Sequence, residues 1–401
     1  MPDDGLIRGS VAPSKPGAKS HRVAARPHFQ CIALLLQGGG ALGSYQAGVY
    51  EALAEAGLPP DWVAGISIGG INAAIVAGNP PAERVRKLRR FWEEITANPL
   101  LDWATQLVDF SPKGDFARAL YNQWSATSAL VNGVANFFQP RQPAVWMQPN
   151  GTLEATSFYE TKLTQSTLER LIDFDRINSG EMRLSVGAVN VRSGNFVYFD
   201  TTTHTIRAEH VMASGALPPC LPAVEIEGEY YWDGGLISNT PLQWVVDCGP
   251  RQDTLAFQVD LWSSRGEFPG SLAEVATRQK EIQYSSRTRA STDQFKRVQR
   301  LRGALSSLLG KLPEELRDSD EAKYLNMEAD HKVCNIIHLI YRSKHYEGHS
   351  KDYEFSRLSM EEHWRAGYYD TVRTLRHPEV LDRPSNLEGV FTFDLVKDAR
   401  E

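Results

Sequence analysis

Between Cys31 and Ala77 the chain runs twice through one short sequence pattern: an apolar strand, a glycine-rich turn, then a helix. Cys31 to Leu36 is a continuous apolar run, as expected of a strand covered on both faces. Gly38, Gly39, Gly40 and Gly43 follow, and then Tyr45, Val49, Leu53 and Ala56 recur at helical spacing until Gly57 stops them. Trp62 to Ala64 predicts a second strand, Gly65-Ile66-Ser67-Ile68-Gly69 a sharp turn, and Ile71 to Ala77 a helix ended by Gly78-Asn79-Pro80. Parallel strands cannot be joined by a tight hairpin; they need a crossover, usually helical. The pattern therefore predicts an α/β fold, a mainly parallel central sheet flanked by helices in three layers.

Further along, Arg183 to Asn190 and Phe196 to Asp200 predict a hairpin turned at Ser193-Gly194-Asn195. Ala208 to Ser214 reads as a helix running into Pro218-Pro219. Val224 to Trp232 reads as a second hairpin, folded at Gly228 and closed by Asp233-Gly234-Gly235. Thr254 to Leu261 is a further strand. From Ser263 the chain is more charged and mostly helical, with one apolar strand at Asn335 to Tyr341 and a helix at Met360 to Leu375. The expected organisation is a tail over 1–28, a catalytic-type domain over 29–262, and a mostly helical C-terminal region over 263–401 that can return one strand to the sheet. The tail is rich in Pro, Gly, Ser and basic residues and has too little apolar surface to order itself. Residues 98–150 stand apart: Leu100, Trp103, Leu107, Phe110, Phe116, Trp124, Phe137, Phe138 and Trp146 crowd a stretch sparse in charge. It reads either as a lid or acyl groove or as a helical insertion packed on the core.

Composition excludes several classes. With 42% apolar and 23% charged residues in 401, the chain is globular. A net charge of -6 gives no field for nucleic acid. The four cysteines are scattered, without zinc spacing or a disulfide framework, which suits a reducing, cytoplasmic setting. No apolar run approaches the ~18 residues of a membrane span, so membrane contact is expected to be peripheral. One local feature stands against the net charge. Arg278, Lys280, Arg287, Arg289, Lys296, Arg297, Arg300 and Arg302 crowd one segment. They form either a face for anionic lipid or a solvated helix answered by Glu314, Glu315, Asp318 and Asp320.

Three motifs carry chemistry. Gly38 to Gly43 fits G-x-G-x-x-G between a strand and a helix, which a dinucleotide pyrophosphate or an oxyanion could equally use. The nucleotide reading needs an acid at the end of the second strand, and the nearest candidate, Asp61, precedes that strand. Gly65-x-Ser67-x-Gly69 has the form of a nucleophile elbow, with the strand before it and helix after it that the elbow requires. A serine needs a base to take its proton. His204, His210, His331, His338, His345, His349, His363 and His377 stand in no marked setting, so a Ser-His-Asp hydrolase is the runner-up. Asp233 before Gly234 and Gly235 is alone only a turn, but beside Ser67 its carboxylate could accept the proton directly.

Together, and with Ala213-Ser214-Gly215-Ala216-Leu217-Pro218 between elbow and Asp, these motifs resemble the patatin-like phospholipases over roughly Cys31 to Asp260. Leu42 stands where bacterial members of that family often carry Arg or Lys, and the region after Ser263 lies outside the motif set. The resemblance implies a serine carboxylic-ester hydrolase acting on a lipid or other acyl ester. Ser67 would be the nucleophile and Asp233 its base, with Gly38, Gly39 and Gly40 as oxyanion hole, framed by Gly65, Gly69, Gly234 and Gly235. It requires no metal or cofactor. Phospholipid, acylglycerol and intracellular polyester all stay open as substrates. Two readings of another class also stay open, a nucleotide binder and a non-catalytic binder of lipid or polymer.

Overall fold

A computed structural model describes residues 20–97, 114–285, 288–344, 346–385 and 389–395. Leu100, Trp103, Leu107, Phe110, Arg287 and His345 lie outside them. Within the described residues the centre is a nine-stranded mixed sheet. Strands β1 (Cys31–Leu36) and β2 (Trp62–Ile66) pair in parallel, Ala33 opposite Trp62 through Leu36 opposite Gly65. On the free edge of β1 lies β9 (Thr254–Asp260), followed by β10 (Cys334–Ile340) and β11 (Val390–Phe393), all parallel. Beyond β2 the sheet continues in parallel to β5 (Arg183–Asn190), with β6 (Phe196–Asp200) folded back on the far edge. A short separate pair joins β3 (Gln139–Pro140) to β4 (Tyr159–Glu160). Strands β1, β2 and β9 are buried along their whole length, which is why they read as unbroken apolar runs.

The register at the end of β2 places the chemistry. On β5, Gly187 pairs with Ile66 of β2 on one edge and Tyr198 of β6 on the other. The next residue, Ala188, pairs with Val197 of β6 and with Asp233, the last residue of β8 (Glu229–Asp233). The hairpin of β7 (Val224–Ile226) and β8 thus takes over the edge of β5 where β2 stops. One strand leaves the sheet at Ser67 and another, running the opposite way, arrives at Asp233 on the adjacent rung.

Helices cover both faces. Those used below are α1 (Ser44–Ala56), α2 (Ile68–Ala77), α3 (Pro81–Ile95), α4 (Asp115–Asn132), α5 (Ala208–Ser214), α6 (Leu272–Tyr284), α7 (Thr288–Leu309) and α8 (Arg357–Leu375). Residues 20–28, which fall within the expected tail, are among those described and make contacts with the domain. The Val23 N–H donates to the Ala56 carbonyl at 3.1 Å, Val23 packs on the core, and Arg26 pairs with Asp61. The C-terminal region gives the sheet two strands rather than one; Val390–Phe393 is too short and too weakly patterned to be seen in the sequence.

That region is built into the core. Helix α8 crosses α1 so closely that a Cβ on Gly48 would lie 1.9 Å from the Trp364 carbonyl oxygen, and one on Gly367 2.0 Å from that of Tyr45. Both aromatic side chains are fully buried, and the Tyr45 hydroxyl donates to Asp370 at 3.0 Å. Gly367→Ala forces the two backbones apart, and we expect a loss of about 1–3 kcal/mol. An unchanged urea midpoint would show that the crossing has slack.

Candidate active site

Each strand end delivers one part of the site. At the end of β2 the chain turns into α2 within one residue. Ser67 takes that turn at φ 56, ψ -128, a left-handed conformation that a residue with a Cβ holds only under restraint. The restraint comes from both sides. The Ser67 N–H donates to the Ser214 hydroxyl of α5 at 3.0 Å, and its carbonyl takes the N–H groups of Gly70 and Ile71. No side chain would fit at the flanking glycines. A Cβ on Gly65 would lie 2.2 Å from the Gly69 carbonyl oxygen, and one on Gly69 2.3 Å from that of Leu36. The N-terminus of α2 points its partial positive charge at the serine.

At the end of β8, Asp233 is only 2% exposed. Its Oδ1 accepts the Gly235 N–H at 2.7 Å, and it lines the same cavity floor as Ser67, whose hydroxyl is near enough to act on its pKa. Burial pushes that pKa up to about 6; the Ser67 hydroxyl and the Gly235 N–H pull the other way. A carboxylate in this range is a base matched to neutral pH.

At the end of β1, the glycine loop lies over Ser67: a Cβ on Gly38 would sit 3.0 Å from the serine Cβ. The Gly38 N–H is turned to the Asn239 carbonyl at 3.4 Å, and the Ala41 N–H to that of Asp352 at 2.8 Å. Gly39 and Gly40 are left with N–H groups that find no acceptor among the described residues. Of the three glycines expected in the oxyanion hole, Gly38 is thus the one whose amide is already engaged.

These parts open into a cavity of about 430 Å³, within the usual range for a small-molecule site. The polar floor is Gly38 to Gly40, Ser67 and Asp233, while Ala129, Leu130, Phe137, Phe138, Leu217 and Leu221 make an apolar wall. Four of those six come from the aromatic-rich segment 98–150. Other residues of that segment point outward: Phe116 is 79% exposed and Trp146 80%. Among the described residues no histidine lines the cavity. His210 accepts the Arg207 N–H, His338 lies by Asp260, and His363 by Glu347. Asp61 sits at the amino end of β2, where it accepts the Ile32 N–H at 2.7 Å, across the sheet from the glycine loop. Among the described residues no group of three or more His, Cys, Asp or Glu side chains is placed to hold a metal ion.

Sequence reasoning missed the far wall. Trp262, just past β9, and Lys280, Tyr284, Asp352, Tyr353 and Phe355 of the C-terminal region line the cavity. Lys280 bonds both Asp352 carboxylate oxygens, at 2.7 and 2.8 Å, and Arg278 bonds Glu281 at 3.0 Å. Arg302 of α7 pairs with Asp247 at 3.4 Å. The basic run is therefore in part an internal clamp rather than a cationic face.

Comparison with known proteins gives the following. A family model described as "Patatin-like phospholipase" matches residues 34–245, more than half of the chain, and one described as "Patatin phospholipase" matches 282–387. Patatin-like phospholipase domain-containing protein 6 of Homo sapiens is 37% identical over 93 residues, 22% of this chain and 7% of that protein. Lysophospholipase nte1 of Aspergillus terreus is 49% identical over 57 residues, 14% of this chain and 4% of that protein. Each match spans under a tenth of the relative's length. Among solved structures, VipD from Legionella pneumophila has a TM-score of 0.40 at 14% identity, covering 95% of this chain and 77% of that one.

The raised pKa has a cost in stability. Between the ordinary pKa of 3.8 and about 6 the folded state holds a proton the unfolded state has lost, so stability falls as pH rises through that window. Above it the full cost is present, about 3 kcal/mol. Asp233→Asn should therefore be more stable than wild type at pH 8, with the gain fading towards pH 4. Urea unfolding at the two pH values reads this directly; a variant no more stable at pH 8 contradicts it.

Proposed function

The chain belongs to the patatin-like phospholipase family, and from that premise we propose that it hydrolyses acyl esters of lipids through a Ser67–Asp233 dyad. The single observation that carries the reading is that Ser67 and the buried carboxylate of Asp233 share the floor of one apolar cavity, which no histidine lines among the described residues.

Ser67 attacks the ester carbonyl while Asp233 takes its proton. The carbonyl oxygen becomes an oxyanion, held by the N–H groups of Gly39 and Gly40. As the tetrahedral intermediate collapses, the C–O bond to the alcohol breaks and Asp233 returns the proton to the departing oxygen. Water enters, Asp233 takes a proton from it, and its oxygen attacks the acyl carbon. Collapse releases the fatty acid and restores the Ser67 hydroxyl. One carboxylate serves both halves because each needs a base first and an acid second. The apolar wall suits the acyl chain.

Peripheral contact with a lipid surface belongs to the same reading. Helix α4 is amphipathic the wrong way round for a core helix. Arg118, Asn122 and Ser125 are buried, while Phe116, Leu120, Trp124 and Val131 face out. The stripe continues to Leu130 at the cavity wall, so an acyl chain leaving a lipid surface would meet apolar groups all the way. No helix among the described residues is long and apolar enough to cross a membrane. Four cysteines without disulfides support a reducing, cytoplasmic setting.

Ser67→Ala should lose at least ~10³-fold in kcat on a nitrophenyl butyrate with folding intact, as deletion of an essential nucleophile does. Residual activity near wild type would end the proposal. In wild type, kcat/KM should fall below about pH 6, where Asp233 is protonated. A lipid extract incubated with wild type and with Ser67→Ala would reveal which esters are consumed. Replacing Phe116, Leu120 and Trp124 with Ser should weaken sedimentation with phosphatidylcholine vesicles while hydrolysis of the soluble ester persists. Unchanged sedimentation refutes the docking face.

A further inference from the structure

The Gly38 carbonyl accepts two hydrogen bonds at once, from Nδ2 of Asn239 at 3.0 Å and from Nε1 of Trp262 at 3.0 Å. A carbonyl oxygen has two lone pairs, and here the protein uses both. The peptide group is planar and trans, so the N–H of Gly39 must point opposite to the C=O of Gly38. Tying that carbonyl back against Asn239 and Trp262 turns the Gly39 N–H the other way. It is one of the two loop amides without a protein acceptor, and the loop lines the cavity beside Ser67.

This restraint answers a problem that the glycines create. A peptide between two glycines can flip at little steric cost, since neither neighbour has a Cβ to block the rotation. The flipped peptide would present a carbonyl where an oxyanion develops, converting attraction into repulsion. Glycine is nonetheless required here. A Cβ on Gly38 would lie 2.4 Å from Asn239 Oδ1, and one on Gly39 2.8 Å from Leu261 Cδ1. The loop's own residues cannot therefore supply the stiffness, and it must come from outside.

We propose that Asn239 and Trp262 are positioning residues that lock the Gly38–Gly39 peptide with its N–H directed at the oxyanion; this rests on the oxyanion-hole reading above. Both anchors are themselves fixed. Asn239 Nδ2 also donates to the Tyr284 carbonyl at 2.8 Å, and the Asn239 carbonyl takes the Gly38 N–H. The Trp262 and Leu261 N–H groups both donate to Gln37 Oε1, at 3.0 and 2.6 Å. The Trp262 ring lies against Tyr284, with the Lys351 ammonium 5.1 Å from its centroid. Gln37 precedes the glycine loop, and its Nε2 reaches Thr240 and the Tyr284 carbonyl. Asn239 sits on the loop that carries Asp233, and Trp262 at the end of β9. Base and oxyanion peptide are thus held by one network.

The test uses Trp262→Phe, which keeps a ring but removes the N–H, and Asn239→Ala. Substrates are a nitrophenyl ester and its thiono analogue, whose C=S sulfur is a poor hydrogen-bond acceptor. Each variant should lose about tenfold in kcat, short of the ~10²–10³-fold typical of deleting an oxyanion donor outright, with KM within about twofold. The preference for the oxo over the thiono ester should narrow by the same factor, and the acid limb of the pH profile should stay in place. The oxo/thiono ratio does not depend on how much enzyme is folded, so it decides even for a poorly folding variant. A ratio unchanged from wild type in both variants overturns the proposal, whatever happens to kcat. If Ser67→Ala measured alongside is inactive while both variants match wild type, the anchoring alone falls. An active Ser67→Ala removes the oxyanion reading itself.

Discussion

A carboxylate without water around it resists ionisation, and the arrangement of this fold about Asp233 follows from that fact. Desolvation raises its pKa, and two short-range donors, the Ser67 hydroxyl and the Gly235 amide, restrain the rise. A fully solvated Asp would be too weak a base at neutral pH to help a serine; one without donors would stay protonated. The balance depends on Ser67 reaching the carboxylate, and so on the register of β5, where Gly187 and Ala188 receive Ile66 and Asp233 from two strands running in opposite directions. A slip of one residue in either strand would turn its side chains to the opposite face of the sheet.

The same crowding explains the glycines. The elbow at Gly65 and Gly69 and the loop at Gly38 to Gly40 lie where backbone meets backbone or where a side chain from another element closes in. The Leu36, Gly69 and Asp352 carbonyl oxygens occupy the space that a Cβ would need. Removing side chains permits the approach, but it leaves the loop soft. Hydrogen bonds donated by Asn239 and Trp262 to the Gly38 carbonyl, with Gln37 accepting from Leu261, tie the loop from outside, and these residues take no part in the proposed chemistry.

This division governs what could be seen in the sequence. Sharp turns impose glycines at fixed offsets, and parallel strands impose unbroken apolar runs, so the α/β class, the loop at Gly38, the elbow at Ser67 and the turn at Asp233 were all legible. Trp262, Lys280 and Asp352 were not. They reach the cavity only because β9 and β10 lie beside β1, and strand order leaves no local trace. Nor could charge be read locally. Lys280 belonged to a run that read either as a face for anionic lipid or as a solvated helix, yet its partner Asp352 is 72 residues away in the chain.

The inverted helix α4 links these two themes. A helix packed on a core normally turns its apolar side inward. Here the inward side carries Arg118, whose guanidinium bonds Glu362 and Ser359 of α8. An inward charge ties α4 to α8 by directed bonds beside the small buried side chains of Ala126 and Ala129, while the large aromatic residues Phe116 and Trp124 stay outside. Helix α8 in turn crosses α1, the helix that begins directly after the glycine loop. The apolar outer stripe, the cavity wall and the oxyanion loop are thus joined through one helix of the C-terminal region. That region is as much a part of the candidate site as the strand ends that carry Ser67 and Asp233.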